Sequence, residues 1–123
     1  MRKILVITFM LFTSLNVQSQ NSNLIIGKWV FKEALNKEVD ELGRKTLNEQ
    51  VINKMTYEFK SNGVFIWFAM GEKANGKWSL AKDQNSIFAT IGKEKMEFKI
   101  IKLTSTEMIL KMGLGEFLMS KIE

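Results

Sequence analysis

From Gly27 onward, apolar residues recur mostly at every second position, the spacing of strands with one wet face. Residues 54–60 show it most cleanly, with Met55, Tyr57 and Phe59 on one side and Lys54, Thr56, Glu58 and Lys60 on the other. Residues 28–35 place Trp29, Phe31 and Leu35 on one face, with Glu33 the one acid among them. Residues 64–70 are apolar on both faces and rich in β-formers. Further strands are predicted over 75–81, 86–91, 95–102, 106–112 and 116–122, which makes eight. Turn residues separate them: Ser61-Asn62-Gly63, Asp83-Gln84-Asn85, Gly92-Lys93-Glu94, Thr104-Ser105 and Gly113-Leu114-Gly115. Short strands at this spacing, with no proline to interrupt them, predict an antiparallel all-β sandwich or barrel.

Two segments depart from the alternation. Residues 36–53 are too long for a hairpin loop. Within them Thr46-Leu47-Asn48-Glu49 has the form of a capping box, Thr46 accepting from the Glu49 amide and Glu49 reaching back to the Thr46 amide. A short helix over 47–53 is expected, with Leu47 and Val51 on one face and Ile52 beside them. The other segment is the start of the chain. Arg2 and Lys3 precede an apolar run, Ile4 to Leu15, that is too short to span a bilayer. A positive start, such a run and a small-residue exit make a secretory signal peptide. Val17 and Ser19 suit the cleavage positions, so residues 1–19 are read as the signal and 20–123 as one mature domain beginning at Gln20. Periplasmic or secreted localisation follows, with no membrane span once processed.

Composition narrows the chemistry. The chain holds no cysteine, so neither a disulfide nor a lipid-bearing cysteine is available, and an exported domain of this kind rests on its core alone. It holds no histidine, which excludes Ser-His-Asp and Cys-His nucleophilic systems and histidine metal or haem sites. No phosphate-binding glycine loop or Asp-rich calcium loop occurs. No cofactor and no enzymatic activity are expected. Of 18 Lys and Arg, Arg2 and Lys3 leave with the signal, so 16 face 13 Asp and Glu, a net charge of +3 on the mature chain. Those charges are interleaved rather than gathered in a stripe, so nucleic acid is not an expected partner.

Taken in order, several motifs resemble the lipocalin-like (calycin-type) proteins, particularly the short exported bacterial ones. They are Gly27-x-Trp29, a long first connection, Tyr57-x-Phe59-Lys60-Ser61-Asn62-Gly63-x-Phe65, Gly76-x-Trp78-Ser79-Leu80, and the run Ile100 to Leu110. The resemblance covers nearly all of residues 24–123 and implies an eight-stranded antiparallel up-and-down barrel with one short helix in the first connection. It implies that Gly27 admits the chain closely, that Trp29 plugs a closed end, and that a late basic residue, Lys121 or Lys111, covers the ring. The family often uses arginine there; this chain has only Arg2 and Arg44. The family pattern also places Phe59 and Phe65 inward. That favours a three-residue bulged loop with left-handed Gly63 over a two-residue Asn-Gly turn between the strands. With Trp29 at the closed end, the 36–53 connection emerges at the other end and is expected to fold over the mouth.

The inward aromatics could line a ligand cavity or fill it, because an eight-stranded barrel has room for either. Their bulk favours a filled or nearly filled interior, with the methionines as filler. Two functions stay open: a barrel binding a small apolar or amphipathic ligand, and a packed barrel acting as an interaction or accessory module through its surface. For the first, the candidate ligand contacts are Phe31, Glu33, Leu47, Val51, Tyr57, Trp67 and Phe98. For the second, an outward stripe of Val64, Ile66 and Phe68 is the candidate patch.

Overall fold

The computed structural model describes residues 22–36, 40–113 and 115–122. The signal-peptide reading, with its cleavage near Ser19 and new terminus at Gln20, lies outside the described residues. Eight strands follow in chain order: β1 (Gly27–Ala34), β2 (Thr56–Phe59), β3 (Val64–Ala69), β4 (Glu72–Leu80), β5 (Ser86–Ile91), β6 (Glu94–Leu103), β7 (Glu107–Met112) and β8 (Gly115–Lys121). Each pairs antiparallel with the next, and β8 returns to β1 to close the barrel, so no strand edge is left unpaired. No described helix is long and apolar enough to cross a membrane.

The alternation seen in the sequence sets the inner wall. Tyr57 and Phe59 of β2 face in and pair with Trp67 and Phe65 of β3. The three-residue loop between them takes the bulged form: Lys60 donates its amide to Val64 and accepts from the Gly63 amide, and Gly63 sits at φ 88°. At the next hairpin, β4 begins at Glu72, ahead of the expected residue 75. Met70 and Gly71, at φ 52° and 79°, form a two-residue turn that lets Ala69 pair with Glu72. A two-residue turn with both centres left-handed matches the natural twist of a hairpin, but asparagine is the usual first residue, not methionine. Farther along β4, only glycine fits at position 76. A Cβ there would stand 1.8 Å from the carbonyl oxygen of Thr90 on β5.

One end of the barrel is packed solid. Trp29 is fully buried and donates its indole N–H to the Ile25 carbonyl at 2.8 Å, within a helical turn at 22–25 that stoppers this end. The Lys121 ammonium lies 5.0 Å from the Trp29 ring centroid, which settles the choice between Lys121 and Lys111. Trp78, of the Gly76-x-Trp78 motif, does a parallel job: its indole donates to the Lys60 carbonyl at 2.8 Å and its ring meets Phe59 edge-on at 5.4 Å.

The opposite end carries the connection with α1 (Glu41–Gln50). The helix starts six residues before the expected position. Asp40 is the N-cap, accepting from the Gly43 amide at 2.7 Å, and the proposed capping box does not form. Thr46 instead lies inside the helix and donates to the Leu42 carbonyl. Residues 51–53, expected as helix, belong with Lys54 to a turn in which Asn53 takes φ 62° and donates its amide to the Phe31 carbonyl at 2.7 Å. That bond ties the connection to β1.

Candidate functional site

The aromatic filling stops at Tyr57. Its ring stacks on Phe98 at 5.1 Å and meets Phe31 edge-on at 4.9 Å, forming a floor across the barrel. Between this floor and the mouth lies a cavity of about 530 Å³, within the range of small-molecule sites. Aromatic side chains contribute to its wall from four strands: Phe31 of β1, Trp67 of β3, Phe98 of β6 and Phe117 of β8. Met55, Met96 and Met112 fill much of the rest, with Ala69 the small residue among them. Gln50, Val51 and Met70 form part of the rim. Val51 packs against the core, so the end of α1 and the turn after it lie over part of the opening.

The expectation of a filled interior therefore holds for only half the barrel. Trp29, Phe59, Phe65 and Trp78 crowd the closed end, whereas in the mouth half flexible methionines and an alanine stand between the aromatic rings of the wall. Methionine suits a wall that must adapt to an occupant.

Five of the seven candidate contacts meet at this cavity: Phe31, Val51, Tyr57, Trp67 and Phe98. Leu47 packs against the edge of the core but is not on the cavity wall. Glu33 is outside. The β1–β8 register shifts between Phe31 and Glu33, so Phe31 opposes Met119 inside, Glu33 opposes Leu118, and Ala34 opposes Phe117 inside. The extra residue of this bulge turns both Lys32 and Glu33 to solvent. The sequence reading missed Met55, Ala69, Met96, Met112 and Phe117. Alternation puts Met55, Met96 and Met112 on the apolar face of their segments, but it cannot choose a face for Ala69, whose strand is apolar on both sides, and it does not say how high along the barrel any of them lies.

The polar groups at the cavity are few. Burial pushes the Tyr57 phenol well above its ordinary pKa of 10.0, so it remains a neutral donor. Its hydroxyl donates to Met112 Sδ at 3.9 Å, a weak acceptor. Trp67 Nε1–H is buried with no hydrogen-bond partner among the described residues. Lys95 and Glu97 also border the cavity but alternate outward on β6 around Met96, and the Glu97 carboxylate accepts from Ser86 Oγ at 3.2 Å on the outer face.

A sequence model describing the lipocalin-like domain matches residues 25–110. The chain belongs to the lipocalin-like domain family. Two solved structures share the lipocalin-like barrel. A lipocalin-like protein from Bacteroides uniformis superposes with a TM-score of 0.62 at 16% identity, covering 80% of this chain and 99% of that one. An uncharacterized protein from Bacteroides eggerthii gives 0.59 at 16% identity with the same coverage. No curated protein matches the chain. The likeness to these structures is one of fold, so the character of the lipocalin-like cavity rests on the residues described above.

Proposed function

We propose that this lipocalin-like barrel is an exported binding protein that holds a small apolar or amphipathic molecule in its mouth-end cavity, without catalysing its conversion. The observation that carries the reading is the cavity itself: about 530 Å³ walled by aromatic and methionine side chains above a packed floor. A core packed for stability alone gains from filling such space, since voids cost dispersion contacts. Displacement of an environment-sensitive apolar dye tests it. The wild-type domain should bind the dye and release it to extracted lipids. Ala69→Phe, which fills the cavity, should weaken dye binding at least tenfold while the strand signature in circular dichroism persists. Unchanged dye affinity in that variant would refute the site. Export is tested separately by N-terminal sequencing of protein recovered outside the cytoplasm. It should begin at or near Gln20, and an intact Met1 would refute the signal peptide.

The second reading, action through the outer surface, is supported by a smaller feature. Ile66 and Phe68 of β3 line an outer groove of about 180 Å³ with Ile122, bordered by Lys28, Lys54 and Lys73. Charged lysines share the lining with the apolar residues, and the groove is a third the volume of the cavity. The interior site is therefore the better supported.

A further inference from the structure

We infer that the molecule this cavity accepts carries a neutral hydrogen-bond acceptor, a ketone, ester or amide carbonyl, which takes the Tyr57 hydroxyl while an apolar body lies against the methionine and aromatic wall. The inference rests on the cavity being a ligand site and adds the polarity of its occupant.

Three observations combine. First, the phenol at the floor is a strong donor spent on a weak acceptor. Among the described residues the Tyr57 hydroxyl finds only the Met112 thioether, at 3.9 Å, although a buried hydroxyl is normally paired with a carbonyl, a carboxylate or water. Met112 lines the same cavity and has a flexible side chain, so an entering carbonyl can displace its sulfur at little cost. Second, the polar group beside Tyr57 is also a donor. Trp67, whose ring stands edge-on to Tyr57 with centroids 6.1 Å apart, keeps its indole N–H buried without a partner among the described residues. A wall offering two donors and, apart from thioether sulfur, no side-chain acceptor at the floor is complementary to an acceptor. Third, no charged side chain of the described residues is aimed inward along its strand, although Lys95 and Glu97 border the cavity. Lys95 and Glu97 lie on the outward parity of β6, and Glu33 is turned out by the bulge in β1. A carboxylate would lose its hydration here without a cation to replace it. A plain hydrocarbon would leave both donors as they are. Burial keeps the phenol protonated across the physiological range, so the donor is always available.

The test uses three probes of one chain length, octyl methyl ketone, decane and decanoate, each competing against a bound apolar dye. It compares the wild-type domain with Tyr57→Phe, which removes only the hydroxyl. The ketone should bind the wild type and lose about three- to tenfold in affinity in Tyr57→Phe, the usual worth of one neutral hydrogen bond. Decane should bind both proteins equally, and decanoate at neutral pH should bind more weakly than the ketone. The carbonyl stretch of bound ketone, read by infrared difference spectroscopy, should lie below its position in hydrocarbon for the wild type and move back in the variant. Trp67→Phe provides a second variant whose ketone affinity should also fall. Equal ketone affinity and an unshifted carbonyl band in wild type and Tyr57→Phe would overturn the inference while leaving the cavity as a binding site. Decanoate binding more tightly than ketone would overturn it in favour of an anionic ligand. Failure of every probe, and of the dye, to bind would remove the cavity reading and this inference with it.

Discussion

Replacing Trp29 by alanine tests the closed end directly. The ring has no exposed surface and touches the structure in three ways: it fills the closed end, its N–H holds the Ile25 carbonyl, and its face carries Lys121. A buried aromatic of this size removes about 200 Å² from water, worth about 5 kcal/mol at 25 cal/mol per Å². Alanine recovers a small part of that. Ile25 is itself fully buried, so its orphaned carbonyl adds a cost of about 1 kcal/mol unless water reaches it. Partial collapse of the 22–25 turn into the vacancy offsets some of the total. A loss of about 3–5 kcal/mol is expected, the range found for truncating buried aromatics. That approaches the whole stability of a typical domain, about 5–15 kcal/mol. Urea unfolding followed by circular dichroism would show it as a fall in midpoint at constant slope. Removal of the charge alone, by Lys121→Met, should cost about 1 kcal/mol or less. If Trp29→Ala loses under about 1 kcal/mol, the ring does not plug the barrel and the account of the closed end is wrong.

Three further outcomes follow from particular residues. Tyr57 is the sole tyrosine, and its folded pKa lies above the unfolded value of 10.0. The stability it contributes is therefore complete below pH 10 and lost as pH rises beyond it, by up to about 1.4 kcal/mol per pH unit. Tyrosinate absorbance should appear only as the protein unfolds, Tyr57→Phe should flatten the alkaline decline, and a tyrosinate signal in folded protein near pH 10 would contradict this burial. Met70 sits at φ 52° in a turn where asparagine is preferred, so Met70→Asn should raise stability by about 0.5–1 kcal/mol in thermal unfolding. A destabilised Met70→Asn would mean that rim packing outweighs backbone strain. Finally, α1 has no fully buried residue, so its amides should exchange with solvent faster than those of β2 and should slow when the cavity is occupied. Protection of α1 equal to that of β2 in the free protein would leave the connection as a fixed seal rather than a gate.

What the chain determines by itself is what repeats locally. Period-two alternation identified eight strands and put Tyr57, Phe59 and Phe98 on inward faces, because side-chain direction along a strand follows from its own pleat; for Trp67, on a strand apolar on both faces, the family pattern was needed to choose the side. The Ser61-Asn62-Gly63 loop and the placement of Trp29 were legible together with the family pattern. Turn chemistry depends on a few adjacent residues, and the bulged register was needed to keep Phe59 opposite Phe65. Other features belong to the closed barrel. The bulge that expels Glu33 exists only in the pairing of β1 with β8, strands separated by most of the chain, and nothing in Phe31-Lys32-Glu33-Ala34 marks where parity changes. The capping of α1 by Asp40 rather than Thr46 reflects a competition between two plausible caps; the longer helix also lets Arg44 donate to the Asn36 carbonyl within the connection. The cavity was the least legible feature. Whether large inward side chains fill a barrel depends on the height each reaches once eight strands are staggered around it. Here that stagger gathers the bulk of Trp29, Phe59, Phe65 and Trp78 at one end and leaves Tyr57 facing open space at the other.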